Sequence, residues 1–309
     1  MTQHKDIKLI AVDVDGTLLN SKAELSARSE AVIRKAMAQG VQVVLATGKT
    51  RNSTLRFIEK LSLDTPGIYL QGLAICEGDG TIRWQQTLNP SLARQVITFA
   101  EDRGFTVIAY AGMRILVKTL TDQIKDSLGK YHEPAPEAVG SLQNVLNDTP
   151  INKLMIVGEP RAIKSLRWNL NLQVGTAGRV LQAGLSDMVE VLPPNCSKGA
   201  ALRMLLRDLH MSPDHVLAIG DAENDIEMIQ LAGIGVAMGH AAQQVKDAAD
   251  SVVASNDEEG LAEAIERFVL PPEPVAPVTE AAPSAIPAEP KPAASQPSEA
   301  QTKSTETTS

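Results

Sequence analysis

The sequence predicts an α/β protein: a Rossmann-like, doubly wound parallel sheet as the core, with an inserted α+β domain. Three observations carry this. Through residues 1–270, short and almost continuously apolar runs alternate with amphipathic stretches, as in parallel strands covered by helices on both faces. From about Asp79 to Pro193 the runs are shorter and more polar, which marks a separate α+β module. After Leu270 the composition changes abruptly.

Taken in order, "IKLIAVDVD", "VQVVLAT" and "GIYLQG" are the first core strands. Between the first two, Ala27 to Gln39 reads as a helix closed by Gly40 in the C-terminal cap position. The inserted module supplies "TIRWQQTL", "TVIAY", "RILVKT", "NKLMIVG", "RVLQAG" and "DMVEVLP". One of its helices opens at "NPSLARQ", with Asn89 as N-cap and Pro90 in the first helical position. The core resumes with "HVLAIGD", "GIGVAM" and "SVVAS", and a last helix runs from Asp257 to Phe268, just before Pro271. The expected domains are therefore 1–79 with 193–270 as core, 80–192 as insert, and 271–309 as a tail. That tail holds nine of the 18 prolines and no aromatic residue. It cannot bury enough apolar surface to offset its ordering entropy, so it is expected to be a disordered linker or spacer. No internal repeat recurs at a fixed period.

With 43% hydrophobic residues, the 309-residue chain can build a real core. Aromatics at 3% argue against base-stacking surfaces and aromatic-lined carbohydrate grooves. A net charge of −8 leaves no global basic field to attract nucleic acid, although a local cation or metal can still serve an anionic substrate. Cys76 and Cys196 lack metal-ligand spacing and read as reduced thiols. The apolar run at Leu9 to Val12 is stopped by Asp13, so no signal peptide is expected. No run approaches the roughly 20 apolar residues that span a bilayer. The expectation is a cytoplasmic monomer or homodimer without a nucleic-acid or membrane partner.

Four stretches carry chemistry. In "DVDGT", Asp13 and Asp15 follow the first apolar strand, at the sheet edge where open α/β folds bind ligands. Period-two alternation gives their side chains a similar direction unless the chain turns at once. Gly16 supplies a tight exit, and Thr17 is placed to hydrogen-bond back to the two carboxylates. The same residue types also make ordinary turns. In "VVLATGK", Thr47 and Gly48 offer a hydroxyl and backbone N–H groups suited to an anion, as would any β-α turn. In "PPNCSKGAALRMLL", Lys198 sits at a helix N-terminus, where the helix dipole slightly disfavours a cation. It is either a solvated lysine or one placed to meet a negative group. In "HVLAIGDAENDIEMI", Asp221 ends a strand behind Gly220, and Glu223, Asn224 and Asp225 follow within a turn. Asp225 alone could be a helix cap. Together, Asp13, Asp15, Asp221 and Asp225 would converge on one sheet edge and require a cation. Hard oxygen donors with room for water specify Mg²⁺. Carboxylates, a divalent metal, a lysine and a hydroxyl are parts for holding and attacking a phosphoryl group.

In this order, "DVDGTLLN", "ATGK", "CSKGAAL" and "GDAENDIEM" resemble the four motifs of the haloacid dehalogenase superfamily of phosphohydrolases, most closely its Cof-type subgroup. The resemblance covers residues 7 to about 270, and the long gap between Thr47 and Lys198 is similar to that subgroup's large α/β cap. It implies Asp13 as the nucleophile that forms an aspartyl-phosphate, and Asp15 as the general acid and base. It implies Mg²⁺ held by the Asp13 carboxylate, the Asp15 backbone carbonyl and Asp221, supported by Asp225. Thr47, Gly48, Lys198 and Asn224 are implied to bind phosphoryl oxygens. The second aspartate sets the chain apart from dehalogenating members.

Two positions depart from the subgroup's pattern. Lys49 stands where arginine is common, which keeps charge but loses forked hydrogen bonding. Gln71 stands where asparagine is usual, near the cap hinge. The resemblance implies a small-molecule phosphate ester as substrate, sugar phosphates first, then flavin, pyridoxal or pyrimidine-intermediate monophosphates. Arg114, Lys118, Tyr131, His132 and Arg179 are cap positions that could contact a leaving group, although each residue type is more often found on a surface. A phosphomutase shares these aspartates, and a regulatory binding protein with a degenerate site is the non-enzymatic alternative.

Overall fold

A computed structural model of the chain describes residues 6–130, 132–182 and 186–270; the expected tail at 271–309 and Tyr131 lie outside them. The chain begins with β1 (Leu9–Val12), α1 (Ala27–Ala38), β2 (Gln42–Leu45) and α2 (Leu55–Leu61), then β3 (Gly67–Tyr69), β4 (Ala74–Cys76) and β5 (Ile82–Gln85). Next come α3 (Pro90–Glu101), β6 (Thr106–Ala111), β7 (Arg114–Val117), α4 (Asp122–Lys130), β8 (Glu137–Ala138) and α5 (Leu142–Val145). These are followed by β9 (Lys153–Val157), α6 (Pro160–Val174), β10 (Arg179–Gln182) and β11 (Met188–Leu192). The chain then runs through α7 (Lys198–Asp208), β12 (Val216–Gly220), α8 (Ile226–Leu231), β13 (Ile234–Ala237), α9 (Gln243–Asp247), β14 (Ser251–Val252) and α10 (Gly260–Phe268).

The core sheet is parallel, in the order β14-β13-β12-β1-β2. Its strands read as unbroken apolar runs because both faces are covered. Ile10, Val12, Val43, Leu45, Leu217 and Ile219 pack with α1 and α10. The alternate residues Leu9, Ala11, Val44, Val216 and Ala218 pack with α7 and α8. This is the doubly wound arrangement, with period-two alternation assigning each side chain to one layer. Ser26 caps α1 by accepting from the Ser29 N–H at 3.0 Å, and Gly40 follows that helix at φ +86°.

A second sheet of six strands, in the order β10-β11-β9-β6-β7-β8, is antiparallel except for the β7–β8 pair. One face of it, through Val107, Ala109, Leu154, Ile156, Val189 and Val191, packs on α3 and α6. The other carries Ile108, Tyr110, Met155, Val157, Met188 and Leu192, and this face turns toward the core. As expected, the Asn89 side chain accepts from the Ser91 N–H, at 2.9 Å, where α3 begins with Pro90.

Three expected elements differ. "GIYLQG" does not continue the parallel sheet: β3 joins β4 and β5 in a small antiparallel sheet and meets the end of β2 through the single bridge Ala46–Ile68. The cause is local. Leu70, Gln71 and Gly72 all adopt positive φ (54°, 63° and 88°), which reverses the chain. "TIRWQQTL" likewise pairs through β5 with β4 and not with the six-stranded sheet. The last helix begins at Gly260, because Ser255 and Glu258 close a separate capped turn and Glu259 takes φ +65°. Among the described residues, no helix is long and apolar enough to cross a membrane.

Candidate active site

The site assembles where β1 lies between two parallel neighbours. The register pairs Val12 with Leu45 on one side and with Ile219 on the other. The three strands therefore release Asp13, Thr47 and Asp221 at nearly the same level. In an open α/β sheet this switch point is where ligands bind.

Asp13 and Asp15 do not share a direction. Asp13 continues the sheet, donating its N–H to the Ile219 carbonyl at 3.0 Å, and then the chain turns at once: Leu18 N–H returns to the Asp13 carbonyl and Leu19 N–H to that of Val14, both at 3.0 Å. Gly16 makes the turn at φ +86°, and a Cβ there would stand 2.6 Å from Asp221 Oδ2, so two separate constraints require glycine. As a result Asp13 is buried, while the Asp15 side chain remains 46% exposed. Each finds its own cation. Lys198 Nζ donates to Asp13 Oδ1, and Lys49 Nζ donates to Asp15 Oδ1 at 2.6 Å. Thr17 does not hold either of them. Its hydroxyl donates to Asp221 Oδ1 at 3.0 Å, because the turn carries Thr17 across to the neighbouring strand end.

Lys198 is not solvated: its side chain is 1% exposed. Ser197 caps α7, accepting from the Ala200 N–H at 3.0 Å, and Lys198 follows as the first helical residue with its ammonium aimed at the carboxylates. Besides Asp13 it meets Asp225 Oδ1 at 2.7 Å. The other Asp225 oxygen accepts the N–H groups of Asp221 and Ala222, each at 3.1 Å. Asp225 is thus both a backbone cap and a counter-charge. Burial pushes the Asp13 carboxyl well above the usual range; Lys198 opposes this, while Asp225, Asp221 and Asp15 add to it. Asp221 is raised by burial and then by Asp225, against the Thr17 hydrogen bond. Burial alone would lower the Lys198 ammonium, but Asp13 and Asp225 outweigh it and the net shift is upward.

Asp13, Asp221 and Asp225 offer carboxylate oxygens that all lie within 4.8 Å of one another. One lysine cannot neutralise three such groups, and the donors are all hard oxygens. The set fits a divalent cation of the Mg²⁺ type. The Asp15 carboxylate stands apart on Lys49, so from that residue only the backbone is left for such an ion.

Thr47 and Gly48 form a pinned loop. Thr47 N–H donates to the Ile68 carbonyl at 2.9 Å, the Thr47 hydroxyl accepts from the Lys49 N–H at 3.2 Å, and the Gly48 carbonyl accepts from Lys153 Nζ at 2.9 Å. Asn224 points toward Gln71, donating from Nδ2 to Oε1 at 2.8 Å. Above these residues lies a cavity of about 390 Å³, lined below by Asp13, Asp15, Thr47, Lys49 and Asp221. Its upper wall is the inward face of the six-stranded sheet, with Tyr110, Lys153, Met155 and Glu190 beside Leu181 and Gln182.

Arg114, Lys118, His132 and Arg179 do not line this cavity. Arg114 pairs with Glu137 on the surface, and Arg179 donates to the Cys196 carbonyl at 3.1 Å. The residues that do line it include several that sequence reasoning passed over. Lys49 and Gln71 stood out only as departures from a pattern. Lys153 and Glu190 carried a usable signal, since each is a lone charge at an inward position of an apolar strand. Glu133 carried none: it accepts from the Thr50 N–H and hydroxyl, at 3.2 and 2.7 Å, across a separation of 83 residues.

The family model of haloacid dehalogenase-like hydrolases matches residues 10–265. The chain belongs to that family. Among curated proteins it is similar to a chloroplastic endoribonuclease, YBEY, of Arabidopsis thaliana, with 36% identity over 273 residues. That match covers 84% of this chain and 46% of the relative, so the chain spans about half of that protein's length. It is similar over nearly the full length of another relative, the 5-amino-6-(5-phospho-D-ribitylamino)uracil phosphatase YcsE of Bacillus subtilis. Here identity is 29% over 265 residues, covering 86% of this chain and 97% of the relative. Among solved structures, a haloacid dehalogenase-like hydrolase from Bacteroides thetaiotaomicron superposes with a TM-score of 0.77 at 29% identity, covering 84% of this chain and 99% of that one. Two further relatives are a phosphatase, YwpJ, of Bacillus subtilis and an HMP-PP phosphatase of Cronobacter sakazakii. The first is 28% identical over 278 residues, covering 83% of this chain and 98% of the relative. The second is 29% identical over 244 residues, covering 77% of this chain and 86% of the relative.

Proposed function

We propose that the protein is a Mg²⁺-dependent phosphatase that hydrolyses monoesters of small metabolites, sugar phosphates foremost, through an aspartyl-phosphate on Asp13. The observation that carries this is the buried Asp13–Lys198–Asp225 cluster at the switch point, with Asp221 beside it and a cavity above. Asp13, Asp221, Asp225 and the Asp15 carbonyl would hold the ion. Bound there, it would neutralise the clustered carboxylates and the charge on the phosphoryl group.

Lys198 holds the Asp13 carboxylate in place for in-line attack on phosphorus. As the Asp13 O–P bond forms and the ester P–O bond breaks, Asp15 gives its proton to the leaving oxygen. Asp15 then takes a proton from the incoming water, which attacks phosphorus, releases inorganic phosphate and regenerates the Asp13 carboxylate. Lys49 positions Asp15 for both steps. Thr47, Gly48, Lys198 and Asn224 bind the phosphoryl oxygens, with Asn224 turning from Gln71 to do so. The expected boundary at 79/80 falls within the β4–β5 hairpin, so we place the start of the cap after β5 and its end at Leu192. A phosphatase of this kind requires no nucleic acid or membrane, and a cytoplasmic monomer or homodimer suits it.

Phosphate release from a panel of metabolite monophosphates, with and without Mg²⁺, tests the proposal. An Asp13→Asn variant should be inactive toward every ester. Turnover persisting in this variant, or in the absence of any divalent metal, sinks the mechanism; phosphate moving to a second position of the substrate without release marks a mutase instead.

A further inference from the structure

Two buried charges in the upper wall of the cavity have no part in these steps. Lys153 opens β9 and Glu190 sits in the middle of β11, and each side chain is 2% exposed. They pair with one another on the inward face of the six-stranded sheet, and each has a second partner below. Lys153 Nζ donates to the Gly48 carbonyl at 2.9 Å and stands 4.4 Å over the Tyr110 ring. Glu190 Oε2 accepts from Gln71 Nε2 at 3.1 Å. Burying two ions is costly, and an apolar pair of similar size commonly stabilises a fold as well. The pair is therefore weak evidence for stability, and both of its members line the cavity.

The charge balance of that wall is informative. Lys49 and Lys153 are the lysines among the described lining residues; the first is paired with Asp15 and the second with Glu190. Glu133 and Glu223 line the cavity as well. A leaving group above the phosphate therefore meets a neutralised pair, extra carboxylates, and the apolar surfaces of Met155 and Leu181. Hydroxyl and amide groups can donate to Glu190 and accept from Lys153. A second phosphate or a carboxylate would face Glu190, Glu133 and Glu223 without a cation of its own.

We propose that the Lys153–Glu190 pair reads the charge of the leaving group, admitting neutral, hydroxyl- or amide-bearing esters and turning away those with a second anion. This rests on the phosphatase function proposed above. Removing one partner should invert the preference. Glu190→Gln leaves Lys153 as a free cation, and Lys153→Met leaves Glu190 as a free anion.

The test uses glycerol phosphate, phosphoglycerate and phosphoethanolamine, which are small enough for charge and not shape to divide them. In the wild type, kcat/KM for glycerol phosphate should exceed that for phosphoglycerate by at least about tenfold, within reach of one uncompensated charge. Glu190→Gln should swing the ratio toward phosphoglycerate, and Lys153→Met toward phosphoethanolamine, each by about tenfold or more. The double variant should return close to the wild-type ratio. Equal loss on all three esters in both single variants reduces the pair to a structural role and overturns the proposal, as does a wild type that ignores the carboxylate. The wild-type ratio needs no variant to fold. Calorimetric binding of the three esters to Asp13→Asn separates the two proposals. Neutral-over-anionic binding without any wild-type turnover fails the phosphatase function and keeps the charge selection, whereas turnover without discrimination fails the charge selection alone.

Discussion

Replacing Lys198 by methionine removes the one ammonium inside the acidic cluster while keeping a side chain of similar reach. The consequence follows from the spacing. With carboxylate oxygens within 4.8 Å of one another, each like-charged pair repels by about 3.5 kcal/mol at an effective dielectric constant of 20. Three ionised groups cannot bear this, so the cluster takes up protons, and the net cost settles near the ~3–5 kcal/mol of breaking a buried ion pair on one side. The assay is urea unfolding at neutral pH, first with a chelator and then with saturating Mg²⁺. In chelator the variant should lose about 3–5 kcal/mol relative to wild type. Excess Mg²⁺ should restore much of it, since a ligand at a hundredfold over its Kd contributes about 2.7 kcal/mol. The restoration should be larger in the variant, where no lysine competes for Asp13 and Asp225. A loss below about 1 kcal/mol, typical of a surface pair, would refute the electrostatic reasoning. So would an equal Mg²⁺ increment in both proteins.

Asp15→Asn should slow ester cleavage by roughly 10²–10⁴-fold on poor leaving groups; wild-type rates on an alkyl phosphate would remove Asp15 as the acid. Thr17→Val deletes the hydrogen bond to Asp221 Oδ1, and loss of such an outer partner should raise the Mg²⁺ concentration for half-maximal turnover by about 10–100-fold. An unchanged titration curve would leave Thr17 as a turn residue only. Burial pushes the thiols of Cys76 and Cys196 up to about 11, and the Tyr69 hydroxyl up to about 12. In all three the folded state holds the proton longer than the unfolded chain. Their contribution is intact below the ordinary values of 9.0 and 10.0 and is lost as pH rises through the raised ones. The slope is about 1.4 kcal/mol per pH unit for each group. Urea midpoints should therefore fall on the alkaline side, and native thiols should resist alkylation at neutral pH.

The core was legible because its information is local. Runs such as Leu9 to Val12 and Val216 to Gly220 are apolar throughout, and only a sheet covered on both faces accommodates that. The turn at Leu70, Gln71 and Gly72 was not legible, since two of the three residues have side chains that disfavour the positive φ they adopt. Surrounding contacts, among them the Leu70 N–H to the Lys49 carbonyl at 2.9 Å and the Gln71 N–H to the Thr47 carbonyl at 3.1 Å, impose the turn from outside. Without it, "GIYLQG" reads as one more parallel strand.

In the site, the sequence pointed to the assembly but not to its pairings. Asp13 and Asp221 are far apart in the chain, yet their meeting follows from topology, because β1 and β12 pair in parallel and strand ends on one edge of such a sheet are neighbours whatever their separation. Lys198 reaches them from the first turn of α7. Partnering obeys no such rule. Whether two aspartates in D-x-D share a cation depends on how quickly the chain leaves the strand after the first, and here the turn closed by the Leu18 N–H on the Asp13 carbonyl sends Asp15 to Lys49 and Thr17 to Asp221. The lysine that looked like a weakened arginine becomes the anchor of the second aspartate. Gln71, which looked like a weakened asparagine, becomes the joint between Asn224 and Glu190. A substitution judged by its own chemistry reads as a loss; judged by the distances around it, Lys49 joins its loop to Asp15 and Gln71 joins its turn to Asn224 and to the six-stranded sheet. The same measure applies to Lys153 and Glu190, whose burial in an apolar strand pattern makes sense only once the cavity they face is in view.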